Sequence, residues 1–202
     1  LYGAGRGVDD LICLFVGTGV GGGIVSGGKL LEGCNSSAGE LGHLTIMTDG
    51  RQCHCRNRGC LEAYAGGWAI AERAQEAVRS DPKAGQSLIT LAGSIERITA
   101  ATVTEAYANG DPVAQRIVEE TAHFLAAGVV GIVNAFNPCL LILGGGVIQG
   151  SPMYLSMVEH AVRINALEAA LGGLRIITAA LGNKAGVIGA AALARHRLQQ
   201  TQ

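Results

Sequence analysis

The 202 residues contain no sustained run of like charge. Lysine and arginine number 15 against 16 aspartates and glutamates, a net charge of -1. No basic face therefore marks out nucleic acid or an anionic membrane as a partner. Charged residues make up only 15% and hydrophobic residues 49%, which excludes the composition of a disordered chain. The longest stretch of low polarity, FLAAGVVGIV at 124–133, is too short to cross a bilayer and is expected to be a buried helix. The N-terminus, LYGAGRGVDD, lacks the charged start and apolar core of a secretory signal, so none is expected there. There is no CxxC pair, which argues against a dithiol redox centre. No fixed-period repeat or low-complexity segment interrupts the chain.

Glycine is in excess. There are 31, roughly twice the usual share of about 7%. They cluster in GTGVGGGIVSGG (17–28) and GGG (144–146), a pattern that brings backbone close to something or turns it tightly. Six cysteines could form three disulfides. However, Cys13 and Cys139 fall in apolar, strand-like runs, where a thiol acts as a small hydrophobe. Cys34 is alone in a loop, and Cys53, Cys55 and Cys60 crowd into eight residues. The pattern points to a reducing compartment, hence the cytoplasm.

LICLFV (11–16) is an apolar run bounded by charge and glycine, expected to be a strand buried on both faces. GTGVGGG follows it, then two short strands around a glycine pair, a hairpin. HLTIM (43–47) is expected to be a strand and the cysteine segment a loop. From CLEAYAGGWAIAERAQEAVRS onward the pattern is helical, with Ala69, Ile70, Ala74, Ala77 and Val78 on one face. Residues 83–101 give no clear pattern, and TVTEAYANG reads as a short helix ending at Gly110. Asp111-Pro112 caps a helix running to about Phe136, which Asn137-Pro138 ends. CLLILGGGV (139–147) is a second buried strand. A helix over 152–171, a strand over 174–180 and a closing helix over 184–198 complete an alternating, right-handed α/β second half.

Two glycine loops each follow a buried strand. GTGVGG is not a Walker sequence, since no lysine follows in the required place, and not a dinucleotide fingerprint, since a hairpin follows it. A tight glycine hairpin is the plain alternative to an anion-binding loop. Ligands of open α/β sheets bind beyond the carboxyl ends of strands, so two such loops together point to nucleotide binding. Cys53-x-Cys55-x4-Cys60 offers three thiolates, and a tetrahedral zinc needs four N or S ligands. His54, between two ligand cysteines, would struggle to turn its ring to the same metal. His43, ten residues upstream, can be reached by a fold-back of the loop. A closed Cys3His zinc with His43 is therefore expected, with free surface thiols as the alternative. Such a metal would draw Glu40 and Glu62 together with His43. Two carboxylates and an imidazole suit a polyhydroxylated ligand. An acid/base pair for glycoside hydrolysis or, for Glu62, a helix-start charge are the competing readings.

Together these motifs resemble the ROK family of bacterial sugar kinases and sugar-responsive repressors. The residues concerned are GTGxGGG at 17–23, ExGH at 40–43, the CxC…GCxE pattern at 53–62, and a strand ending in glycines at 143–146. The resemblance implies an α/β, actin-like (ribonuclease-H-like) ATPase fold. The chain, 1–202, would be the large C-terminal lobe, with a zinc loop at 43–60 and a helical segment inserted. It implies ATP with Mg²⁺ at Gly17, Thr18, Gly19 and Gly21, with adenosine near Gly144, Gly145 and Gly146. A hexose or N-acetylated hexosamine would be held by Glu40, His43 and Glu62. A structural Zn²⁺ would be bound by His43, Cys53, Cys55 and Cys60, so that His43 would use one ring nitrogen for each job. The family's DxGGT loop and its general-base aspartate have no counterpart here and are expected upstream of Leu1. The lobe alone is therefore expected to be inactive. Homodimers are common in the family; nucleic acid enters only with a repressor's helix-turn-helix. At position 56 the family usually has Gly, so Arg56 is expected to avoid positive φ. Ser36 also replaces a frequent Gly.

Overall fold

The computed structural model describes residues 2–200. The apolar run Leu11–Val16 forms β1, with Leu11, Ile12, Leu14 and Val16 buried. The chain reverses through Gly17–Gly19 into β2 (Val20–Ser26), antiparallel to β1 with Val16 opposite Val20 and Leu11 opposite Val25. Gly27 and Gly28, both at positive φ, turn into β3 (Lys29–Leu30). The Asp10 carboxylate accepts from the Gly27 N–H at 2.9 Å and the Ser26 hydroxyl at 3.0 Å, which fastens this hairpin to the start of β1.

A helical segment follows: α1 (Glu62–Ala65), α2 (Gly67–Ser80), α3 (Gln86–Ala92), α4 (Ala100–Ala108) and α5 (Pro112–Phe136). The stretch 83–101, unreadable by pattern, contains α3 and the start of α4. The α4 start is marked by a reciprocal box in which Thr99 and Thr102 cap each other, a Thr-Thr variant of a signal usually sought as Ser/Thr with Glu/Gln. The α5 boundaries follow their expected chemistry. Asp111 accepts from the Ala114 N–H at 2.7 Å, Pro112 opens the helix, and Asn137 closes it at φ 45°. The run 124–133 lies inside this helix. At 25 residues α5 has the length and apolarity of a bilayer span, but 56% of its most apolar window is buried within the protein. Ile117, Leu125, Val129 and Ile132 form the centre of the main core.

The second half alternates as expected: β4 (Leu140–Gly144), α6 (Gly146–Gly150), α7 (Pro152–Asn165), α8 (Glu168–Leu171), β5 (Arg175–Thr178) and α9 (Ala185–Gln200). β4 lies parallel to β1 and β5 parallel to β4, giving one mixed sheet in the order β3-β2-β1-β4-β5. All five residues of β4 are buried, as a central parallel strand requires.

Four sequence expectations need correction. No strand forms at 43–47: Leu41–His43 is a 3-10 turn and Thr45 makes a single bridge to Cys60. Its partner is the irregular cysteine loop and not a sheet edge. The helix expected over 152–171 breaks at Ala166 and Leu167, where the Asn134 side chain takes the Leu167 N–H at 2.8 Å. A long-range hydrogen bond ends that helix, with no proline or glycine to announce it. Cys139 sits just before β4 and is exposed, not buried in the strand. Arg56 adopts φ 77° and Ser36 φ 60°. The glycine-like backbone is thus kept at both positions despite the side chains.

Candidate metal centre and carboxylate site

The cysteine loop folds as the ligand reading requires. Residues 44–46 run antiparallel to 59–61: the Leu61 N–H donates to Leu44 O at 2.9 Å and the Ile46 N–H to Gly59 O at 2.8 Å. Gly59, at φ +76°, leaves no room for a Cβ beside the Met47 carbonyl. A turn closed by the Cys53 N–H on Asn57 O then brings the cysteines round. One ligand atom from each of His43, Cys53, Cys55 and Cys60 lies within 4.8 Å of the others. Cys55 Sγ and Cys60 Sγ are 3.6 Å apart, and Cys53 Sγ is 3.7 Å from His43 Nδ1. Bonds of about 2.3 Å to sulfur and about 2.0 Å to nitrogen at tetrahedral angles give edges of roughly 3.5–3.8 Å. The donor set thus fits a zinc-sized tetrahedral cation. Burial pushes the Cys60 thiol up to about 12, and a bound cation would favour its thiolate. His54 does not join this group.

The His43 ring has two faces. Nδ1 looks to Cys53, while Nε2 is 3.8 Å from Glu40 Oε2, whose side chain is 66% exposed. Glu62 arrives from the other side, at the start of α1. Its Oε2 accepts from the Val20 N–H at 2.8 Å and its Oε1 from Trp68 Nε1 at 3.3 Å. Val20 is the meeting point. Its N–H holds Glu62, and a Cβ on Gly42, beside His43, would overlap its carbonyl. Glu62 and the turn that carries Glu40 and His43 thus both pack on Val20, the first residue of β2. Glu62 is held by side-chain hydrogen bonds at a helix start, so it does more than complement the helix charge.

The two glycine loops sit side by side at the carboxyl ends of the parallel strands β1 and β4, with Phe15 opposite Gly144. Gly145, at φ +92°, packs so closely on Val16 O that no side chain fits, and a Cβ at Gly144 would sit 2.7 Å from the Phe15 ring. The structure gives Gly19 a second reason for its bareness: the space beyond its Cα is filled by the Glu62 carboxylate. The loop is also clamped to the start of α2, with the Gly67 N–H on Gly17 O at 2.8 Å and the Trp68 N–H on Thr18 O at 3.1 Å.

Sequence reasoning missed the residues that brace the site. Tyr64 OH accepts from the Arg51 N–H at 2.8 Å, and its ring packs on Phe124. The Arg51 guanidinium forks onto Glu76 at 2.7 and 2.8 Å. Arg73, buried, reaches Glu120, the Tyr64 carbonyl and Thr121. Trp68 stacks on His54. The signal available was the unusual placement of arginine on the apolar face of α2.

The family model "ROK family" matches residues 1–197. The glucokinase of Thermotoga maritima is 35% identical over 198 residues, covering 98% of this chain and 62% of that protein. The N-acetylglucosamine repressor of Escherichia coli O157:H7 is 29% identical over 197 residues, covering 98% of this chain and 47% of the repressor. Among solved structures, a ROK family glucokinase from Streptomyces griseus in complex with glucose and AMPPNP superposes with a TM-score of 0.82. It shares 37% identity, over 96% of this chain and 62% of that one. The chain thus spans 62% of the length of each of these two glucokinases.

Proposed function

The chain belongs to the ROK family, and from that premise we propose that it is the sugar- and nucleotide-binding large lobe of a cytoplasmic, ATP-dependent hexose kinase of the glucokinase type. One observation carries the reading. Glu62, an acceptor for sugar hydroxyls, is hydrogen-bonded to the residue that ends the GTG loop, Val20. The hydrogen bond sets a hydroxyl acceptor directly against a phosphate-type loop, the juxtaposition that would place a bound sugar beside a phosphate.

In this reading Glu40, His43 and Glu62 accept from or orient hexose hydroxyls, and specificity comes from leaving no buried acceptor unpaired when the right sugar binds. Gly17, Thr18, Gly19 and Gly21 face the ATP phosphates and Gly144–Gly146 the adenosine, with Mg²⁺ offsetting the developing charge. The base for the sugar hydroxyl is not among these residues. A zinc on His43, Cys53, Cys55 and Cys60 would be structural, since four protein ligands close its coordination sphere. It would hold His43 Nδ1 and leave Nε2 toward the sugar side.

The test is a coupled ATP-consumption panel over hexoses with the protein expressed from its whole gene. The expected result is turnover of at least one hexose, abolished by E62Q with the fold intact. Metal analysis of the same preparation should give about one equivalent of zinc, and under half an equivalent would contradict the metal assignment. The repressor relative favours one rival, an effector-binding lobe. It predicts hexosamine binding with no ATP consumption.

A further inference from the structure

Trp68 touches three parts of the site at once. Its indole stacks on the His54 imidazole of the cysteine loop, centroids 4.0 Å and planes 19° apart. Its Nε1–H donates to Glu62 Oε1 at 3.3 Å. Its backbone N–H donates to Thr18 O in the glycine loop. A terminal carboxylate torsion is otherwise broad, yet here each Glu62 oxygen is taken by a different N–H donor, from Val20 on one side and Trp68 on the other.

We propose that Trp68 is a positioning residue for sugar recognition: it fixes the plane of the Glu62 carboxylate, and through its stack on His54 it makes that plane depend on the cysteine loop. The inference rests on the sugar-site reading above and adds to it. A carboxylate accepts about four hydrogen bonds. With two of these used by N–H groups, the remaining lone pairs point in set directions and can only accept. The ligand fitting there is a neutral sugar presenting hydroxyl donors; a sugar carrying a carboxylate or phosphate at those positions is repelled.

The experiment uses the protein expressed from its whole gene. Trp68→Phe keeps a ring over His54 and removes the N–H donor. The expected result is a KM for the hexose raised about tenfold, the effect of one hydrogen bond to a charged group, with kcat within about threefold and KM for ATP unchanged. Because the chain has one tryptophan, hexose binding to the W68F variant, measured by calorimetry, is set beside the emission of unmodified Trp68. Emission in this chain is expected to change saturably, with a midpoint matching the hexose affinity; other tryptophans in the protein are subtracted with W68F. A folded W68F with unchanged hexose KM overturns the proposal, as does wild-type protein that binds hexose while the Trp68 emission stays flat. If W68F does not fold, the wild-type titration, with quenching assigned by a H54N variant, decides. Wild-type protein that binds no hexose by calorimetry overturns the sugar-site reading itself, a result distinct from either of the others.

Discussion

Arg56 holds φ 77°, a left-handed backbone that costs a side-chain-bearing residue about 1–2 kcal/mol. Glycine adopts it freely but loses more freedom on folding, roughly 0.5–1 kcal/mol. Arg56 is exposed, so its side chain adds little to packing. R56G should therefore stabilise the protein by up to about 1 kcal/mol, and a chemical-denaturation midpoint that falls would contradict this. At this scale the sequence pointed to the side chains that the structure brings together, His43, Cys53, Cys55 and Cys60. Three cysteines and a histidine at this spacing left few other arrangements, and the two glutamates lay close by in the chain. What it did not carry was which donors each carboxylate meets. The N–H of Val20 and the indole of Trp68 approach Glu62 from 42 and 6 residues away, and no local pattern encodes such a pairing.

Apart from the break between α7 and α8, the elements of the second half were legible because their periodicity changes sharply from buried strand to amphipathic helix, with proline and glycine at the joins. The first half was less so. Its segment at 43–47 alternates like a strand yet pairs only with a loop, and α3 is too short to establish a period. Within α5 two glycines separate packing from propensity. Gly131 is exposed with open space at its Cβ position, whereas a Cβ on Gly128 would sit 2.8 Å from Leu61. Leu61 lies fully buried between Cys60 and Glu62. G131A should stabilise by up to about 1 kcal/mol, the ordinary gain of alanine in a helix. G128A should destabilise by about 1–3 kcal/mol through overpacking and raise the hexose KM; thermal melts of the pair, run together, test the contrast. The Arg51–Glu76 fork joins the cysteine loop to α2. The Arg51 hydrogen bond holds the Glu76 carboxyl below its ordinary value of 4.5. A depressed folded-state value means that the stabilisation is fully present above 4.5 and is lost as pH falls through the lower, folded value. The stability difference between wild type and E76Q should therefore be flat from pH 6 to 8 and shrink below 4.5. Both partners are partly exposed, so the difference is small, and one that grows in acid would refute the assignment.

In the molecule as a whole, two bodies of unequal strength share the site. The main core joins the sheet to α2, α4, α5 and α7 through one continuous set of buried side chains. The cysteine loop has a separate small cluster, Cys53, Cys60, Ala63 and Tyr64, with Ile46, Trp68 and Phe124 packed against it. Two of those four buried residues are proposed metal ligands, so the loop's packing and its metal are one interaction. Without a metal the loop would keep buried thiols, the backbone hydrogen bonds between 44–46 and 59–61, the Arg51 contacts to Tyr64 and Glu76 and the His54–Trp68 stack, few interactions to set against the conformational entropy of residues 44–61. The large core does not depend on it. Metal removal by a chelator should accordingly open the loop locally and leave the protein folded. Hydrogen exchange followed by mass spectrometry should show residues 44–61 losing protection while the interior of α5 keeps it. Far-ultraviolet circular dichroism should change little, because 44–61 contains no α-helix. Hexose binding should be lost in the same step, since His43 and the His54–Trp68 stack are released together, and both should return on adding zinc. Protection lost equally in α5 and the loop would show instead that the metal holds the whole fold, and unchanged protection at 44–61 would show that no metal holds the loop.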